Sequence, residues 1–147
     1  MADQATERIH VDAPPARCFE IATDYAHYPD WAKDVKEATV LEQDGEARGQ
    51  RVEYRMAAMG RSIRVVFDYD YALAPDSFSW HLVEGDMLKQ LDGTYDFDPD
   101  EGGTRVTYSL TVEVGVPLPG FMKRRAAGLI IGNALKELKR TAEAGEA

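Results

Sequence analysis

From Val35 to Val116 apolar and polar positions alternate with the period of strands, and the segments on either side carry the longer period of helices. Ile63–Ala72 alternates most cleanly, with Ile63, Val65, Phe67, Tyr69 and Tyr71 on one face and Arg64, Asp68 and Asp70 on the other. Val35–Leu41 and Gln50–Met56 come before it, with turns at Asp44-Gly45 and at Gly60. After Pro75-Asp76, Phe78, Trp80 and Leu82 alternate with Ser79 and His81. Met87–Phe97 then brings Leu91, Gly93, Tyr95 and Phe97 into phase, and Asp98–Gly103 reads as a hairpin loop. Thr104–Val114 sets Val106, Tyr108, Leu110, Val112 and Val114 against Arg105, Thr107, Ser109, Thr111 and Glu113. Six consecutive strands on short turns predict an antiparallel meander with one covered face and one wet face.

Ahead of the meander, Thr6–Asp12 predicts a first strand, with Ile9 and Val11 opposite Arg8 and His10. Asp12 is placed to cap a helix opened by Pro14 and Pro15, and Ala16–Thr23 is predicted as that helix, anchored by Phe19. Asp24–Asp34 predicts a second helical piece broken at Pro29, which gathers Tyr25, Tyr28 and Trp31 as the plug of a core or the mouth of a pocket.

Behind the meander, Pro119 to about Thr141 predicts a long helix with no polar residue between Ala126 and Gly132. Ile131, Ala134, Leu135 and Leu138 recur at helical spacing, with Lys136, Glu137, Lys139 and Arg140 on the other side. Gly128 and Gly132 each destabilise a helix by ~1 kcal/mol relative to Ala. The space they leave implies either close helix–sheet contact or a ligand along the helix. Residues 1–147 thus predict one α+β domain, with two short helices after the first strand and a curved sheet of about seven strands covered by the last helix.

A net charge of −9 argues against a nucleic-acid partner and against an anionic membrane surface. The local basic run Lys123-Arg124-Arg125 is either a solvated helical turn or a contact for an acidic carrier protein or a ligand carboxylate. With Cys18 alone no internal disulfide forms, and its neighbours Phe19, Ile21 and Ala22 suggest a buried thiol. The polar start MADQATERIHVD does not resemble a signal peptide, so a cytoplasmic protein is expected.

Metal binding is not indicated, because His10, His27 and His81 lack partners at ligand spacing. No nucleophile elbow, phosphate loop or dinucleotide fingerprint is present, and no cofactor is expected. The covered face is unusual in carrying Tyr54, Tyr69, Tyr71, Tyr95, Tyr108 and Trp80. Their polar tips either reach water at the sheet's ends or give an apolar cavity a few hydrogen-bond donors. A cavity of that kind suits a planar, oxygen-bearing hydrophobe. Acid–base chemistry lacks its base, since Asp68, Asp70, Arg64 and His81 all fall on the outer face. Lys89 shares phase with Leu91 and is placed near one end, and Arg125 is within reach of the rim.

The element order, with Ile9, Val11, Ala13-Pro14, Phe19, Asp24, Tyr28-Pro29 and Trp31 at its N-terminal end, resembles the START-related, Bet v 1-like superfamily of the helix-grip fold. It looks most like the bacterial polyketide cyclase/dehydrase and coenzyme-Q-binding-protein-like groups. The resemblance implies a deep apolar cavity between sheet and C-terminal helix, holding a lipid, quinone, sterol or aromatic polyketide, without implying catalysis. Tyr28, Trp31 and the Met56–Gly60 turn are then expected at its mouth. Tyr54, Phe67, Tyr69, Trp80, Leu82, Leu91, Tyr95, Tyr108 and Leu110 are expected on its walls, and Gly128, Ile131 and Leu135 on its floor. A carrier is the first expectation. A polyketide cyclase or dehydratase docking an acyl carrier protein through Lys123, Arg124 and Arg125 is the second. The third is an interaction module, with Met59, Leu129 and Ile130 closing on a twin subunit.

Overall fold

The computed structural model describes residues 3–46, 48–58, 61–86, 88–115 and 120–144. Strand β1 (Asp3–Val11) leads into α1 (Pro15–Ala22), a single 3₁₀ turn at Tyr25–His27 and the short α2 (Tyr28–Trp31). The meander follows as β2 (Val35–Gln43), β3 (Gly49–Ala58), β4 (Arg61–Asp70), β5 (Ser77–Gly85), β6 (Leu88–Asp100) and β7 (Gly103–Val114). The chain then forms α3 (Gly120–Ala144). The seven strands make one antiparallel sheet in the order β1-β7-β6-β5-β4-β3-β2, so the first strand closes against the last.

Local chemistry accounts for most of these boundaries. Helix α1 opens from Pro14 in extended conformation, with Pro15 in its first turn, and no side chain caps it. Asp12 is therefore not the cap: its N–H donates to Glu143 and its carboxylate meets His10. Thr23 ends the helix by returning its hydroxyl to the Phe19 carbonyl at 2.8 Å. Pro29 does not break the second piece either. It occupies the first turn of α2, where no N–H is needed. The β6–β7 hairpin is tighter than its acidic sequence suggests, because Asp100 pairs with Gly103 and only Glu101 and Gly102 turn. Both have positive φ, 46° and 82°, as a two-residue hairpin turn with the sheet's twist requires.

One side of the sheet is dry. Val52, Val65, Phe78, Phe97, Val106 and Leu110 pack there with Cys18 and Ile21 of α1 and with Ile131 and Leu138 of α3. Each large side chain buried in this way stabilises the fold by roughly 1.5–3 kcal/mol, as an upper bound. Phe19 inserts its ring edge-on against Phe78 and Phe97, with centroids 5.9 and 6.0 Å away. The other face carries ion pairs. Arg51 grips Asp68 through two hydrogen bonds of 2.7 and 3.0 Å, and Arg64 bridges Glu53 and Glu84.

Helix α3 buries the stripe Ala127, Ile131, Leu135, Leu138 and Ala142. Those residues rest on β1 and β7 and against α1. Lys139 donates to the His10 carbonyl at 2.9 Å, and Glu143 accepts the Asp12 N–H, which fastens the helix to the end of β1. The helix thus leans on one edge of the sheet. Above the central strands a space is left. Among the described residues no helix is long and apolar enough to cross a membrane.

Candidate functional site

That space is a cavity of about 500 Å³. Its walls include Tyr54 and Met56 of β3, Phe67 and Tyr69 of β4, Trp80 of β5, Leu91 and Tyr95 of β6, and Tyr108 of β7. Tyr28 and Trp31 close it beside α2, with centroids 5.0 Å apart. Leu129 and Ile130 of α3 line it while 55% and 36% exposed, so the cavity reaches the surface between α3 and the strand ends at Ala57 and Leu88. Of the sequence-predicted residues, Tyr28, Trp31, Tyr54, Met56, Phe67, Tyr69, Trp80, Leu91, Tyr95 and Tyr108 meet here. Met59 and Gly60 of the predicted mouth, and Pro119 at the predicted start of the last helix, lie outside the described residues.

Five predicted residues do not line the cavity. Leu110, opposite Gly93 across β6 and β7, is buried in the core, and Leu82 is half-buried toward Gly85 at the end of β5. Ile131 and Leu135 are buried in the core and not on the cavity wall, on a helix that packs against β1 and β7 at one edge of the sheet. Gly128 is half-buried, and a methyl added there, or at Gly132, would meet nothing within 4 Å among the described residues. Neither glycine marks a close helix–sheet contact. The face of α3 that does reach the cavity carries Ile130, Asn133, Ala134 and Glu137. Lys89 is exposed, because an irregularity in the β6–β7 pairing between Leu88 and Gln90 puts Leu88 on the wall instead. Arg125 is also exposed, and the Lys123 side chain lies outside the described residues.

The tyrosines divide by what their hydroxyls do. Tyr28 donates to the Ala22 carbonyl, and Tyr54 and Tyr69 bond each other at 2.7 Å. Tyr71, at the end of the sheet, donates to the Gly49 carbonyl and meets Tyr25 at 2.8 Å, with its pKa pushed up to about 12 by burial. It is the one that reaches the sheet's end. Tyr95 and Tyr108 stand with centroids 4.6 Å apart, both 5% exposed, and their hydroxyls have no partner among the described residues. Burial holds Tyr28, Tyr54, Tyr69, Tyr95 and Tyr108 well above the ordinary phenol range, so each is a neutral hydrogen-bond donor at physiological pH.

Glu137 is the residue missed by sequence reading. It is 7% exposed, lines the cavity and accepts the Lys33 N–H through Oε2 at 3.1 Å. Asp34 also lines the cavity and accepts from Asn133 Nδ2 at 3.4 Å. Ile130, Asn133, Ala134 and Glu137 follow the i, i+3, i+4, i+7 spacing of one helix face, which groups them in the sequence without saying that this face meets the cavity. Among the described residues no group of three or more His, Cys, Asp or Glu stands close enough to hold a metal ion.

A curved antiparallel sheet that grips a C-terminal helix beside an apolar cavity defines the START-related, Bet v 1-like class of protein. Within it, the chain belongs to the polyketide cyclase/dehydrase and lipid transport family, whose model matches residues 2–143. Among solved structures, a START superfamily protein from Mycobacterium smegmatis superposes with a TM-score of 0.91 at 22% identity, covering 96% of this chain and 97% of the other. The ZhuI aromatase/cyclase from Streptomyces sp. R1128 gives 0.83 at 14% identity with complete coverage of both chains. The ginseng (Panax ginseng) major latex-like protein 151 gives 0.72 at 16%, covering 97% and 96%. At these identities the likeness is one of fold. No curated protein matches the sequence.

Proposed function

We propose that the protein is a cytoplasmic carrier that binds a planar, oxygen-bearing hydrophobic molecule, such as a hydroxylated quinone or an aromatic polyketide, in the cavity beside α3. The observation that carries this reading is the pair Tyr95 and Tyr108, two neutral donors on 5% exposed residues without a partner among the described residues, in a chamber that is aromatic and aliphatic apart from Asp34, Asn133 and Glu137. Neither hydroxyl is among the sealed, unpartnered polar atoms of the described residues, so both open onto the cavity, where a bound molecule can supply the acceptor each lacks. A ligand carbonyl does so, while Trp80, Phe67 and Leu91 cover its apolar body. The protein incubated with a lipid and metabolite extract, re-isolated and analysed by mass spectrometry, returns such a molecule unchanged. Recovery of a cyclised or dehydrated product absent from the extract refutes the carrier.

A second reading, a polyketide cyclase, is favoured by Glu137. A tyrosine hydroxyl polarises a ketone, and the Glu137 carboxylate takes a proton from the adjacent carbon. The resulting enolate carbon bonds to a second carbonyl carbon of the chain, and the new alkoxide takes the proton back. Arg124 and Arg125, exposed on α3, then meet an acidic carrier protein together with Lys123. Turnover of a carrier-bound polyketide that disappears in Glu137→Gln, with ligand retention intact, decides for this reading.

A further inference from the structure

We infer that the ligand is not an acid: it is a neutral or cationic aromatic molecule that presents a hydrogen-bond donor, a phenolic or alcoholic O–H or a protonated amine, to Glu137. The inference rests on the cavity being a binding site and names the chemistry that site selects.

Its basis is the charge on the wall. Among the described residues lining the cavity are two carboxyl groups, Asp34 and Glu137, and no lysine, arginine or histidine. Asp34 is half-buried and has a partner in Asn133. Glu137 is more deeply placed. One of its oxygens takes the Lys33 N–H, and Oε1 has no partner among the described residues. Arg17 Nε is the one sealed, unpartnered side-chain polar atom among the described residues, so Oε1 of Glu137 is open to the cavity and not walled off. A buried carboxylate with no cation beside it is an unfavourable arrangement that persists where something else completes it.

The nearby hydroxyls define the rest of the head group. Burial is the chief cause that keeps the Tyr95 phenol protonated, and the field of Glu137 adds to it. Tyr95 and Tyr108 therefore offer protons, and Glu137 offers lone pairs. A ligand that carries a carbonyl and a hydroxyl or amine satisfies both. A ligand carboxylate would find the tyrosine donors but add a third carboxylate to a low-dielectric chamber that already has two, with no cation among the described lining residues to offset it. Free fatty acids and aromatic acids are thereby disfavoured, whatever their apolar fit.

The test measures the calorimetric affinity of the purified protein for three probes of one shape near neutral pH: 2-naphthol, 2-(aminomethyl)naphthalene and 2-naphthoic acid. The naphthol and the amine are expected to bind at least about tenfold more tightly than the acid, in line with one like-charge contact in a partly desolvated site. Glu137→Gln, which keeps an oxygen for the Lys33 N–H, is expected to close most of that gap, and Asp34→Asn a smaller part of it. Equal binding of all three probes to the unmodified protein overturns the inference and leaves the cavity reading standing. A gap that persists unchanged in a folded Glu137→Gln, Asp34→Asn double variant overturns the assignment to these carboxylates. If none of the three binds, the cavity reading itself fails and the inference with it. The order of affinities in the unmodified protein decides the matter even if the variants do not fold.

Discussion

Trp80 lies over Gly93: the two are paired across β5 and β6, and the six-membered ring of the indole fills the space that a side chain at Gly93 would take. The glycine is thus what lets a tryptophan wall the cavity while the strands remain in register. Gly93→Ala forces the indole off its position. The expected outcome is a loss of roughly 1–3 kcal/mol in stability, typical of overpacking a filled site. A shifted tryptophan emission maximum and weaker ligand retention should accompany it. An unchanged denaturation midpoint and spectrum would show that the ring adapts without effect.

The tyrosine hydroxyls separate binding from stability. Tyr95→Phe and Tyr108→Phe each remove a donor that has no protein partner among the described residues, so the denaturation free energy should change little. Ligand affinity should fall by about 2- to 12-fold, the equivalent of one ordinary hydrogen bond of 0.5–1.5 kcal/mol. Tyr54→Phe breaks the 2.7 Å bond to Tyr69 and should instead lower stability by about 1 kcal/mol. Chemical denaturation and calorimetric binding on the three variants would expose a reversed pattern.

The junction of β1 with α3 should respond to pH in two directions. Hydrogen bonds to Asp100 and then Asp12 raise the His10 pKa above the ordinary 6.5, so the folded state favours the histidinium. The stabilisation is full below 6.5 and fades as pH rises through the folded value. Glu143 behaves oppositely. The Asp12 N–H and then Lys139 hold it below the ordinary 4.5, so its contribution is present above that value and is lost as pH falls. The melting temperature of His10→Gln should lie further below that of the parent at about pH 5.5 than at about pH 8.5. A gap independent of pH would remove His10 from this role.

Cys18 is fully buried and burial raises its thiol pKa, with a weaker opposing hydrogen bond to Thr104. Native protein should therefore resist a thiol-specific reagent at mildly alkaline pH and react at one site once unfolded. Rapid reaction of the folded protein would mean that α1 opens readily.

The strands and the last helix were legible because their periods are strong: Ile63, Val65, Phe67 and Tyr69 recur at every second position, interrupted only by the apolar Val66, and Val106 to Val114 alternate without a break. The aromatic wall followed from the same phase. What was hidden depends on where α3 rests, and helix periodicity does not encode that. Glu137 stands beside Lys136 and Lys139 in sequence and reads as a solvent residue, yet the lean of α3 toward β1 and β7 turns it inward and turns Ile131 and Leu135 away. Lys89 was misplaced by the β6 irregularity, since a one-residue step exchanges the faces of a strand.

Helix α3 is fastened at the sheet's margin, through Lys139 and Glu143 to the end of β1 and through Leu138 into the core, and at the chamber through Glu137 to Lys33 and Asn133 to Asp34. The wall residues Tyr54, Phe67, Trp80 and Leu91 belong to the buried core of the sheet, whereas the contacts of Lys139, Glu143 and Leu138 that fasten the helix stand outside the chamber. Substitutions at Phe67, Leu91 or Ile130 can therefore resize the chamber with little effect on that anchorage. The scaffold is one on which new selectivities can arise by drift in a handful of positions while the fastening of α3 to β1 stays unchanged.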